Sequence, residues 1–150
     1  VLNSSVNAYR RLDPHYEAPN EIKASPIDRG AMVRIPIGNE RSARIEVRSI
    51  APDANPYLAF YTLLKTGLEG TLPTQLPAGA VLPDNIYDAI TAFSGSSYIG
   101  QLLSPEIQAR YTALKTMQAD RCPRRLGTII KVPEIQYHHD VTNQYLWSMF

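Results

Sequence analysis

Five alternating residues, Arg44-Ile45-Glu46-Val47-Arg48, concentrate the chemistry of this chain. In a strand, successive side chains point to opposite faces, so Arg44, Glu46 and Arg48 share one face and Ile45 and Val47 turn to a core. Upstream, Ala31, Val33 and Ile35 alternate with Met32 and Arg34 in the same way. The outcome is one face carrying several guanidiniums around a single carboxylate. Such a face can simply be solvated, but its cations are all Arg, whose planar fork grips a carboxylate or phosphate at two points where Lys acts as a point charge. Flanking arginines keep Glu46 ionised, ready to accept a metal ion or a fixed cation.

Those residues need elements to hold them. The two alternating runs predict an antiparallel strand pair joined by the Gly38-Asn39 loop. Beyond it, Asn55 is suited to cap a helix that starts at Pro56. Leu58, Ala59, Phe60, Leu63, Leu64 and Leu68 leave that helix almost no polar side, which predicts burial all round and a rigid strand ahead of it. Arg48 is expected to point away from the core, so its replacement should cost little stability.

Three ordered motifs then carry a resemblance. Asn7-Ala8-Tyr9-Arg10-Arg11-Leu12-Asp13-Pro14-His15-Tyr16-Glu17-Ala18-Pro19 is similar to Asn-Ser-Tyr-Lys-Arg-Leu-Val-Pro-Gly-Tyr-Glu-Ala-Pro. Asp28 to Pro36 follows Asn-Arg-Ser-Ala-x-x-Arg-Ile-Pro, and Arg44 to Leu58 follows Arg-Ile-Glu-Val-Arg…Asp-Pro-Ala-Ala-Asn-Pro-Tyr-Leu. In these the chain resembles the C-terminal part of the catalytic domain of class I glutamine synthetases, over about its first half. The resemblance implies an α+β fold, with residues 1–150 as a C-terminal fragment of that domain and an antiparallel strand pair followed by several helices.

It also implies an activity. Glutamate is phosphorylated on its side-chain carboxyl by ATP, and ammonia displaces the phosphate from the resulting γ-glutamyl phosphate. Carried over by motif, Arg11 and Arg48 hold glutamate and the transferring phosphoryl group, Arg29 and Arg34 hold ATP phosphates, and Glu46 binds Mg²⁺ or Mn²⁺. Arg41 matches a nucleotide-contacting basic residue. Glu17 falls on a flap that closes the glutamate site, helps take a proton from ammonium and keeps water off the intermediate; His15 stands in that flap where the family has glycine. The family assembles as a two-ring dodecamer, with a neighbouring subunit completing each site and the C-terminal helix docking on the opposing ring. Two other functions remain open: a sibling ligase joining glutamate to a polyamine or another amine, and a non-catalytic assembly or binding module. Glu46-Val47-Arg48 favours ammonia over the Glu-His-Arg of those siblings, and intact Arg29, Arg34, Glu46 and Arg48 argue against a decayed module.

Composition narrows the setting. The net charge is +1 over 150 residues, which gives no electrostatic reason to expect a nucleic-acid or membrane partner. No apolar run is long enough to span a bilayer, and no basic-then-apolar start suggests a signal peptide. One cysteine, Cys122, fits a reducing compartment, with the cytoplasm as the default. Neither Gly-x-x-x-x-Gly-Lys nor Gly-x-Gly-x-x-Gly is present to cradle phosphates. A hard cation needs several oxygens, and Glu46 is the only carboxylate among the arginines, so the remaining metal ligands are expected from sequence upstream of Val1 and the fragment alone is expected to be inactive.

The second half carries less chemistry. Leu72 to Pro83 is expected to be an ordered connection, and Ile86, Ile90 and Phe93 predict a short amphipathic helix. Tyr87 occupies the place of a tyrosine that receives a regulatory nucleotide in some members, but its surroundings favour packing. Ser104 and Pro105 open a helix striped with Ile107, Tyr111, Leu114 and Met117 that ends near Asp120. Arg124-Arg125 is expected to be solvated, and His138-His139-Asp140 lacks the second ligand pair a metal site needs. Thr142 is expected to cap a final apolar helix through Phe150.

Overall fold

A computed structural model describes residues 1–12, 17–71 and 79–120, with only the backbone of Arg10. Asp13 to Tyr16, residues 72–78 and everything from Arg121 on lie outside the described residues, including Cys122, Arg124, Arg125, His138, His139 and the Thr142 helix. No described helix is long and apolar enough to cross a membrane. The architecture is α+β: a 3-10 helix Val6–Leu12, strands β1 (Glu21–Ser25), β2 (Ala31–Arg34) and β3 (Glu46–Val47), and helices α1 (Pro56–Glu69), α2 (Ile86–Ser94), α3 (Ser97–Leu103) and α4 (Pro105–Asp120). The chain divides into two compact units, one of residues 1–4 and 11–84, the other of residues 5–10 and from 85 on.

The first unit holds the sheet, ordered β1-β2-β3. β2 and β3 are antiparallel, with Val33 opposite Val47 and Arg34 opposite Glu46, as the alternation predicts. The pair is shorter than expected, because β3 spans two residues and Ile45 falls outside it. Ile45 is therefore 68% exposed instead of facing a core, and Ile35 is exposed as well. The closely packed positions are small or remote from the strand pair: Ala31, Ser49, Ala51 and Leu12 are buried.

β1 has no counterpart in the sequence expectations. It lies parallel to β2, with Glu21 opposite Ala31 and Ser25 opposite Arg34, and only residues 26–30 connect the two. Parallel neighbours are usually joined by a dozen residues or more. On its other side β1 is tied to residues 80–82, by Ile22 N–H to the Ala80 carbonyl at 2.8 Å and Leu82 N–H to the Asn20 carbonyl at 2.7 Å.

α1 begins where expected. Asn55 accepts from Tyr57 N–H and Leu58 N–H, Pro56 opens the helix, and Gly70 closes it with its N–H on the Thr66 carbonyl. Its expected burial fails: Tyr57, Phe60, Leu64 and Leu68 are all exposed, and the helix buries only Ala59 and Thr62. Apolar composition states what a helix must cover for stability, and among the described residues that side of α1 is left exposed.

In the second unit α2 and α3 each pack on α4. Asn85, Ser96 and Ser104 cap the three helices through Asp88, Ile99 and Ile107 N–H. Phe93 meets Tyr111 with ring centroids 5.3 Å apart. Gln108 on α4 donates to the carbonyls of Phe93 (2.7 Å) and Ser96 (2.9 Å), fixing the turn between α2 and α3. Tyr87 donates its hydroxyl to the Ala119 carbonyl at 2.9 Å. The stripe expected to support α4 is only partly used, since Ile107, Leu114 and Met117 remain exposed.

Candidate active site

The β2–β3 register brings the first pair of site residues together. Directly opposite residues of an antiparallel pair share a face at close range, and Arg34 Nη1 reaches Glu46 Oε2 at 3.3 Å. From two residues before Glu46, Arg44 adds Nε and Nη2 to Oε1, each at 2.8 Å. Glu46 thus accepts a guanidinium on each oxygen, with its side chain 29% exposed. Strand alternation puts Arg44 on this face, and no motif gives it a role. Its forked contact makes it the tighter of the two partners.

Arg48 departs from the shared-face expectation. Its backbone N–H pairs with the Met32 carbonyl at 2.9 Å, but its guanidinium turns back along β2. Nη1 donates to the Arg29 carbonyl, with the Ala31 carbonyl at 3.5 Å. A long side chain can fold over a strand end where β3 has already stopped, so alternation did not determine where its charge comes to rest. Arg11 joins from the end of the 3-10 helix, its Nε donating to the Arg48 carbonyl at 2.8 Å. The bond from Arg11 to Arg48, and that from Arg48 to Arg29, link three of the sequence candidates in series.

Arg29 and Glu17 form the outer pair. Nη1 of Arg29 lies 2.9 Å from Oε2 of Glu17, with both side chains nearly three-quarters exposed. Glu17 holds the Arg29 guanidinium, raising its pKa further above the ordinary value. Arg29 and Glu17 line an open cleft of about 530 Å³ together with Asn20, Glu21, Asp28 and Gly30. Arg41 is not brought in. It sits in the exposed turn that Asn39 organises by accepting from Arg41 N–H and Ser42 N–H.

A further cluster beside Arg29 escaped sequence reasoning. Lys23 Nζ lies 2.6 Å from both Glu21 Oε2 and Asp28 Oδ2. The available signal was the alternation of Glu21, Lys23 and Ser25 with Ile22 and Ala24, which marks β1 itself.

These residues suit an anion better than a bare cation. Two guanidiniums on one carboxylate, one of them forked, are donors that can exchange a carboxylate for a phosphate. Among the described residues no group of three or more His, Cys, Asp and Glu could hold a metal ion. Of the candidates, Glu46 is the carboxylate that could serve as the single protein ligand Mg²⁺ commonly takes beside waters and substrate phosphates.

The geometry gathers five guanidiniums, those of Arg11, Arg29, Arg34, Arg44 and Arg48, around the short sheet. Comparison with known proteins narrows this. The model of the family "Glutamine synthetase, catalytic domain" matches residues 1–88. A glutamine synthetase of Staphylococcus epidermidis is 40% identical over 121 residues, covering 81% of this chain and 26% of the relative. One of Methanosarcina mazei is 34% identical over 139 residues, covering 80% of the chain and 31% of the relative. One of Neisseria gonorrhoeae is 43% identical over 89 residues, covering 59% and 19%. The chain belongs to the glutamine synthetase catalytic-domain family, and it spans about a quarter of the length of the Staphylococcus epidermidis relative.

Proposed function

We propose that residues 1–150 form the C-terminal part of the catalytic domain of an ATP-dependent ligase that makes glutamine from glutamate and ammonia. The observation that carries this is the double guanidinium contact on Glu46, at the place where family motifs and β2–β3 register coincide. In the first step the γ-carboxylate of glutamate attacks the terminal phosphorus of ATP and ADP leaves, giving γ-glutamyl phosphate. Ammonia then adds to the acyl carbon and inorganic phosphate leaves.

Such transfers depend on positioning and on neutralising charge. Arg34 and Arg44 pass from Glu46 to the incoming phosphates, Arg29 leaves Glu17 for the same ligand, and Arg11 and Arg48 hold the glutamate end. Arg41 waits on its turn near the nucleotide. Freed from Arg29, Glu17 accepts the proton that ammonium must lose and covers the cleft against water. Glu46 would give one ligand to Mg²⁺ or Mn²⁺, with the others from elsewhere in the enzyme, and the ion would supply charge neutralisation at phosphate oxygens. The enzyme acts in the cytoplasm, which a single cysteine suits, as a homo-oligomer of which the exposed apolar side of α1 is a natural element to be covered.

The test is turnover of the full-length enzyme with ammonium, and separately with putrescine, following phosphate release from ATP. Glutamate- and ammonium-dependent release, lost in Glu46→Gln, is expected. Release with putrescine alone would transfer the reading to an amine ligase, and no release with either would remove it.

A further inference from the structure

The five residues that connect β1 to β2 must bring the chain back along β1 before β2 can run parallel to it. From Ser25 to Ala31 there are six Cα steps, at most roughly 22 Å of chain. The return distance along five strand residues is roughly 13 Å. The connection is therefore drawn out and has no helix or turn repeat to stiffen it, yet it carries Arg29.

Stiffness comes from one face of β1. Glu21, Lys23 and Ser25 are two residues apart, and although the β1–β2 register shifts between Glu21 and Ala24, Lys23 still meets the Glu21 carboxylate at 2.6 Å. Ser25 Oγ accepts from Ile27 N–H (3.3 Å) and Asp28 N–H (3.0 Å). Lys23 Nζ holds Asp28 Oδ2 at 2.6 Å, while Asp28 Oδ1 accepts from Gly30 N–H at 2.8 Å. Glu21 N–H donates to the Gly30 carbonyl at 3.0 Å, and the Glu21 carboxylate both meets Lys23 and fills the space beside Gly30 that a Cβ would occupy, 2.7 Å from it. The residues on either side of Arg29 are thus fixed to β1, while the Arg29 side chain projects to Glu17.

We infer that Lys23 is a positioning residue for Arg29, acting through Asp28 and the Gly30 N–H to fix the main chain from which the Arg29 guanidinium reaches phosphate. The inference rests on the reading of Arg29 given above. Exposed ion pairs contribute little to stability. What Lys23 contributes is direction, because its ammonium meets two carboxylates and fixes the Asp28 side chain that accepts the Gly30 N–H just beyond Arg29. Asp28 and Gly30 stand where the motif quoted above has Asn and Ser.

The test is a double-mutant cycle in the full-length enzyme with Lys23→Met, Arg29→Gln and both, read as kcat/KM for ATP, with Lys23→Gln as a second probe should Lys23→Met not fold. Lys23→Met is expected to lower kcat/KM about tenfold in the parent and less than about twofold once Arg29 is Gln, since neighbours that act through one group are not additive. Lys23→Arg, which can still bridge both carboxylates, should restore most of the loss. Equal losses in both backgrounds would mark Lys23 as a general structural residue and overturn the inference, as would no loss in the parent. If Arg29→Gln itself leaves kcat/KM unchanged, the phosphate reading of Arg29 fails and the positioning role fails with it. A damaging Arg29→Gln beside a silent Lys23→Met removes the positioning role alone.

Discussion

Replacing Arg48 separates a solvated strand arginine from one that serves both fold and site. Its Nη1 donates to the Arg29 carbonyl and lies 3.5 Å from that of Ala31, and its own carbonyl receives Arg11 Nε. A hydrogen bond from a charged donor contributes about 1.5–3 kcal/mol. Arg48 is half-buried and the second contact is long, so the lower figure applies. Arg48→Met should therefore cost about 1.5 kcal/mol, or roughly 3–6 °C in Tm for a chain of this size. Turnover should fall further: a lost transition-state donor costs about 10²–10³ in kcat. Arg48→Lys tests the fork, because it keeps the charge but not the paired donors; its Tm loss should be the smaller and its kcat loss similar. Melting curves of the chain and steady-state kinetics of the full-length enzyme give both readings. An Arg48→Met melt within about 1 °C of the parent would refute the structural part, and a kcat within about threefold would refute the catalytic part.

Two further outcomes follow from surface and charge. The chain on its own should self-associate and bind an apolar dye through the exposed side of α1, and Phe60→Glu with Leu64→Glu should suppress both; light scattering that finds a monomer at high concentration before any substitution would contradict this. The bond from Lys23, and after it the Gly30 N–H, lower the Asp28 pKa below its ordinary value, while Asp28 first and Glu21 second raise that of Lys23. A depressed carboxyl contributes stability above its unfolded value of about 3.9 that is lost as pH falls through the folded value, and a raised ammonium contributes stability below about 10.4 that is lost as pH rises through its own. The contribution of this pair should therefore be flat between about pH 5 and 9 and fall on both sides; because the pair is exposed that contribution is small, so Asp28→Asn should lessen the acid-side loss in denaturant midpoint only slightly, and a steeper acid limb in the variant would contradict the pairing.

Two kinds of information in the chain reached the structure intact. Period-two alternation set which of Arg34, Glu46, Val33 and Val47 share a face, and capping chemistry at Asn55, Asn85 and Ser104 set where helices begin, because both depend on neighbours a few residues away. β1 was missed for the opposite reason. Glu21 to Ser25 has a strand's alternation, but a parallel partner five residues downstream is excluded by the usual length of such connections, and only the polar ties of Ser25, Lys23 and Asp28 make the short link possible. The all-apolar α1 was read as buried because composition measures a helix's demand for cover, whereas what covers it is a property of other segments. Arg48 illustrates the remaining gap within the site. Its Cα position follows from β3, but a guanidinium sits several bonds from its Cα, far enough to cross from one strand's face to the next strand's carbonyls. Motif spacing thus identified the arginines that gather here, while their division into ligand-facing and backbone-holding groups depends on which carbonyls and carboxylates the fold leaves within reach. Glu46 collects Arg34 and Arg44, the Arg29 carbonyl collects Arg48, and the Arg29 side chain is left to Glu17.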